Sequence, residues 1–297
     1  SFMNYYKLAD LIVEWDDMEF SLCEGRYLER FRYFPEPEEL KEKISFRSYL
    51  VPLEKYIHYP IVKENYVYAL FEVNGEKMLV YHWGNRRFAF AVRPDRIKPG
   101  EINECWFDPD MKNQPPLDAD WFFGVSGLHK ALMLRGAAVL HASYIDRSGS
   151  AILFTAPSGT GKSTQAGLWE EVMQTETVNG DRVLVKKIGG KWYACGYPCC
   201  GSSRICLNRN LPLRAIVILR QSSENCVSQL TLAQKISSLM TAEEMYPWDA
   251  EEMERAMELA ESIAQAIPVI CLSCRPNEDA VRTLNNYLEE TDYAFDI

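Results

Sequence analysis

The sequence predicts an α/β protein in which a smaller β-rich domain, residues 1–115, precedes a phosphate-loop nucleotide-binding domain, residues 116–297, built as a mixed sheet with flanking helices. Three observations predict it. Tyr, Phe, Val and Trp recur in short alternating runs from residue 4 to about 112. The stretch 108–116 is polar and proline-rich, as a boundary should be. From Ala151 onward a buried strand, a glycine-containing loop and a helix follow one another in that order.

In the first domain the runs 66–73 and 78–83 flank Asn74-Gly75, a hairpin turn signal, so this part reads as mostly antiparallel β. After the boundary, residues 119–135 read as one helix stopped by Gly136. Strands are predicted near 139–144 and at 151–155, 183–187, 192–195, 215–219 and 268–272. Helices are predicted at 163–171, 232–241, 249–266 and 278–290.

The loop is Ala156-Pro157-Ser158-Gly159-Thr160-Gly161-Lys162-Ser163-Thr164, a Walker A pattern in its looser form, with Ala156 at the usual first glycine. A nucleotide's phosphates need several converging donors, and a tight loop entering a helix points successive backbone N–H groups inward. Ser158 to Thr164 are therefore the predicted phosphate-binding residues. Gly159 and Gly161 let the backbone approach closely. Lys162 reaches the β- and γ-phosphates, and the Ser163 hydroxyl completes a Mg²⁺ shell.

The chain has 297 residues and a net charge of −10, which disfavours a nucleic-acid backbone or an anionic membrane as partner. No apolar stretch reaches a membrane-spanning length and no leader is read, so a soluble, cytoplasmic protein is expected. Ser1 and Phe2 ahead of Met3 read as a cloning remnant. Nine cysteines rule out complete intrachain pairing and fit reduced thiols. Cys195, Cys199, Cys200 and Cys206, and the Cys271-x-x-Cys274 pair, read as buried small hydrophobes or, less readily, as metal ligands.

Asp181 follows 176–180, which reads as a loop, and precedes the apolar Val183-Leu184-Val185. It reads as a carboxylate that binds Mg²⁺ or takes a proton from an attacking hydroxyl, or else as a turn residue of Asn-Gly-Asp. His141 begins the strand that leads to Asp146, and on its own residues it reads more readily as a packed side chain than as a catalyst. The loop 196–203 with Ser202, Ser203 and Arg204 is a candidate substrate lid, Arg204 neutralising phosphoryl charge, or a plain connection.

Leu140-His141-Ala142-Ser143, Asp146, the loop 156–164 and Asn179-Gly180-Asp181-Arg182-Val183 together resemble the P-loop kinase domain of the HPr kinase type, a fold also found in phosphoenolpyruvate carboxykinase. In that family a histidine stands fifteen residues before the loop's first position, the separation of His141 from Ala156. The family carries two adjacent aspartates where this chain has Gly180 and Asp181. Gly196 to Ser203, Asn208 and 211–219 resemble HPr-kinase-like proteins found near peptide-modification genes. The resemblance spans roughly 119–290 and leaves the first third unmatched.

Loop and resemblance imply an ATP-dependent kinase, with Mg²⁺ on Ser163 and Asp181. It moves a γ-phosphoryl group to a hydroxyl of a protein, peptide or small molecule, and Lys162, Asp181 and His141 are its catalytic set. The alternative is a nucleotide-binding regulator or peptide-maturation accessory protein with little or no catalysis, fed by the missing first aspartate. A decarboxylating carboxykinase would need a denser carboxylate set. The first domain is expected to supply acceptor specificity; ATP against GTP, and a homo-oligomer against a monomer, are left open.

Overall fold

The computed structural model describes residues 2–16, 27–64, 68–83, 88–97, 100–156, 161–246 and 248–295. It divides into two compact units, Ser1–Ala131 and Leu132–Ile297, each carrying its own sheet.

In the first unit, β1 (Met3–Leu8), β2 (Leu11–Asp16), β3 (Ile44–Leu50), β4 (Ile61–Glu64), β5 (Tyr68–Val73), β6 (Glu76–Trp83), β7 (Phe88–Pro94) and β8 (Ile102–Phe107) form one sheet. Their order is β1-β2-β3-β8-β7-β6-β5-β4. The hairpin expected at Asn74-Gly75 is present. Val73 faces Glu76, and both turn residues have positive φ, 52° and 81°, the combination a type I′ turn requires. The sheet is not wholly antiparallel: β3 runs parallel to β2 and β8. The connections from Asp16 to Ile44 and from Leu50 to Ile102 are long, so no hairpin constrains them.

Helix α1 (Ala119–Ser126) belongs with this sheet, although the sequence sets it beyond the boundary. The Asp118 carboxylate caps it by accepting from Trp121 N–H at 2.9 Å. Its Phe122 and Phe123 meet Trp15, which stacks on Phe46 at 4.4 Å. Buried Arg93 donates Nε–H to the Val125 carbonyl at 3.0 Å. The single helix expected over 119–135 is two, because Gly127 turns left-handed (φ 76°) before α2 (Leu128–Met133).

The second unit holds β9 (Ala137–His141), β10 (Ser143–Arg147), β11 (Ser150–Thr155), β12 (Glu176–Asn179), β13 (Arg182–Ile188), β14 (Lys191–Cys195), β15 (Leu211–Gln221), β16 (Cys226–Gln229) and β17 (Val269–Cys274). They run β12-β10-β11-β15-β14-β13-β9, with β17 also beside β15 and β16 beside β17. Helix α3 (Lys162–Met173) and α6 (Glu278–Phe295) cover one face, packing Trp169, Val281 and Leu284 on Ile152, Phe154 and Val217. Helix α4 (Leu232–Ala242) and α5 (Ala250–Ala266) cover the other, packing Leu239 and Ile263 on Leu153, Ile216 and Ile218. Burial on both faces explains why β11 and β15 read as unbroken apolar runs.

The strand expected near 139–144 is two. Ala142 donates its N–H to the Asp181 carbonyl at 3.0 Å, and from there β9 pairs with β13 while β10 pairs with β11 and β12. The segment read as a loop before Gly180 is strand β12. Among the described residues no helix is long and apolar enough to cross a membrane, and no three His, Cys, Asp or Glu side chains group to hold a metal. The six cysteines considered as ligands are all buried.

Candidate functional site

Strands β11, β15 and β17 are parallel and so end on the same edge of the sheet, where β11 leads toward α3. Ligands of open α/β sheets bind outside such carboxyl ends. Ser158, Gly159 and Thr160 lie outside the described residues. Gly161 opens α3 with φ 97°, a left-handed value that favours glycine. Lys162 is buried at its first position, while Ser163 and Thr164 are exposed beside it.

Asp181 stands in the turn between β12 and β13, and fully buried Asn179 builds that turn. Its Oδ1 accepts from the N–H groups of Asp181 (2.9 Å) and Arg182 (2.8 Å). Its Nδ2 donates to the carbonyls of Tyr197 (3.1 Å) and Cys199 (2.8 Å). One side chain thus fixes both the carboxylate and the start of the loop beyond β14. Asn179 was not among the residues the sequence singled out, although Asn-Gly-Asp is an Asx-turn signal that points to it.

His141 and Arg182 are register partners on β9 and β13, which brings the histidine ring to Asp181. His141 Nε2 lies 2.6 Å from Asp181 Oδ1, and Lys162 Nζ lies 3.8 Å from the same oxygen. The other oxygen, Oδ2, accepts from the Arg182 guanidinium. Three residues the sequence names as catalytic therefore converge, with an arginine to which it gave no role. Burial pushes the Asp181 carboxyl up, but the His141 hydrogen bond and the charges of Arg182, His141 and Lys162 outweigh it and hold it below the usual carboxylate range. Burial draws the Lys162 ammonium below its ordinary value; Asp181 opposes this and Arg182 adds to it.

The lid candidates sit against the same turn. A Cβ on Gly180 would overlap the Cβ and Oγ of Ser203, so the loop occupies the space a side chain at 180 would need. Ser203 Oγ donates to the Cys200 carbonyl at 2.6 Å, closing a tight turn. At Gly201 (φ 53°) a Cβ would stand 2.7 Å from Asp181 Oδ2, so glycine lets the loop backbone wall that oxygen. Ser202 and Arg204 are exposed, Arg204 in a left-handed conformation (φ 58°).

No protein-family model matches the chain, and no curated protein matches it. Among solved structures it is similar to the HPr(Ser) kinase/phosphatase from Coxiella burnetii, with 9% identity, 52% of this chain and 98% of that chain covered, and a TM-score of 0.31. The fold and site define a mixed α/β protein with a basic and acidic cluster at the edge where parallel strands end.

Proposed function

We propose that the protein is an ATP-dependent phosphotransferase acting on a hydroxyl of a protein, peptide or small molecule. The observation that carries this reading is Asp181 held between Lys162 at the start of α3 and His141 at the end of β9, at 3.8 and 2.6 Å. Phosphoryl transfer asks chiefly for positioning and charge neutralisation, and these side chains supply both. Lys162 carries positive charge to the β- and γ-phosphates. The His141–Asp181 pair receives the acceptor proton as the acceptor oxygen bonds to the γ-phosphorus and the bond to the β-phosphate oxygen breaks.

One carboxylate, Asp181, and one exposed hydroxyl, Ser163, fit a Mg²⁺ that arrives on the nucleotide, since such ions take one or two protein carboxylates and keep phosphate and water ligands for the rest. Bound there, the ion would neutralise charge on the β- and γ-oxygens. The loop 201–204 would cover the acceptor, and the first unit would select it.

The test is Mg-ATP binding by calorimetry together with transfer assays on hydroxyl acceptors. Lys162→Ala is expected to lower transfer by on the order of 10²-fold or more with the fold kept. Unchanged turnover would overturn the kinase reading. Gly180, with no second carboxylate in its place, favours the alternative of a nucleotide-binding regulator or peptide-maturation accessory. That reading wins if Mg-ATP binds but no acceptor in the panel is phosphorylated.

A further inference from the structure

Resting on the Mg-nucleotide reading above, we propose that Arg182 is a gate on Asp181: it holds the carboxylate closed in the free protein and releases it to Mg-nucleotide by shifting onto Glu244. A divalent ion that reaches the Asp181 carboxylate must compete with the groups already facing it, above all the Arg182 guanidinium, whose positive charge repels the ion. Oδ1 faces His141 and Lys162, and Oδ2 faces the Arg182 guanidinium and the backbone of Gly201. Lys162 has an evident destination in the phosphates. Arg182 has one in Glu244.

The Arg182 guanidinium lies between two carboxylates. One terminal nitrogen donates to Asp181 Oδ2, and its Nε is 3.7 Å from Glu244 Oε2. The Glu244 backbone is fixed at the free edge of β9: its N–H donates to the Val139 carbonyl at 2.8 Å, and the preceding Glu243 bridges Leu140. Arg182 and Glu244 are both partly open to solvent, so a small rotation transfers the guanidinium without breaking the core. A closed population lowers apparent affinity in proportion to the open fraction.

The gate reverses what charge alone predicts. For an anionic nucleotide, loss of an arginine should weaken binding and loss of a glutamate should strengthen it. Under the gate, Arg182→Gln opens Asp181 and is expected to tighten Mg-ATP by roughly threefold or more, whereas Glu244→Gln removes the release partner and weakens it by a similar factor. With ATP and EDTA, where no ion competes for Asp181, both variants should return to the order set by charge. Calorimetry on the full chain, with melting curves to verify folding, reads all of these. Arg182→Gln weakening Mg-ATP, or Glu244→Gln tightening it, overturns the gate while leaving nucleotide binding intact. Glu244→Gln alone decides the matter if Arg182→Gln does not fold. No binding of Mg-ATP by the unaltered protein would instead remove the underlying reading, and the gate with it.

Discussion

Two acids flank the last residues of strand β9 and titrate in opposite directions. Asp181 lies by His141, the partner of Arg182 in the ladder, and Glu243 bridges Leu140, one residue earlier. Both are largely withdrawn from water. Asp181 is surrounded by His141, Lys162 and Arg182 and is held below the carboxylate range. Glu243, 7% exposed, has burial as its main influence and the Glu252 carboxylate as a second, and it is pushed up from 4.5 to about 8. Its Oε1 is buried without a hydrogen-bond partner. The comparison teaches that position on the sheet does not make a reactive carboxylate; the cations around it do. Asp181 is kept charged, while Glu243 is kept as the neutral acid.

The largest expected effect comes from removing the device that holds Asp181 in its surroundings. Asn179→Ala strands two N–H donors and two carbonyls in a buried turn, and a loss of about 3 kcal/mol in unfolding free energy is expected by denaturant titration. A loss below the range of a surface substitution would mean that Asp181 is positioned by its ion pairs alone. Next comes Gly180→Asp, which restores a second carboxylate in sequence but drives a Cβ into Ser203. Overpacking of this kind is expected to cost roughly 1–3 kcal/mol, and Ser203→Gly in the same chain should recover most of it. Additive losses in the double variant would show that the two residues do not compete for one space.

The smallest effect sharpens the other side of the comparison. The folded Glu243 keeps its proton between pH 4.5 and about 8 while the unfolded chain has released it, so the folded state binds more protons and stability falls as pH rises through that window. Glu243→Gln, a neutral side chain of the same shape, is expected to abolish that slope and to raise stability near neutral pH by about 1 kcal/mol. Melting temperatures measured across that window check it, and an unchanged slope would assign the pH dependence to other groups.

Much of this arrangement was legible in the residues. The order strand, loop, helix at Ala151 to Glu171, the hairpin at Asn74-Gly75 and the helices of the second unit follow from period, caps and turn chemistry, which are local. Helix α4 begins at a Thr231–Gln234 capping box, with Gln234 three residues after its Thr cap, a signal readable without any partner. The split of 139–144 into β9 and β10 was not legible, because an apolar run looks the same whether its halves pair with one neighbour or with two. Nor was the place of α1: Phe122 and Phe123 mark an apolar face, but only the sheet bearing Trp15 and Phe46 says which unit buries it.

By itself the sequence determined the chemistry on offer: a lysine and a hydroxyl at a helix start, a histidine, an aspartate after Asn-Gly, and an excess of negative charge. Tertiary structure decided which of these meet. His141 and Asp181 are forty residues apart in the chain, and only the β9–β13 register brings them to 2.6 Å. It also brought Lys162 to the same carboxylate and filled the space beside Gly180 with Ser203. Residue type and spacing fix local geometry, whereas the neighbours of a charge depend on long-range strand pairing, which no short stretch of sequence encodes.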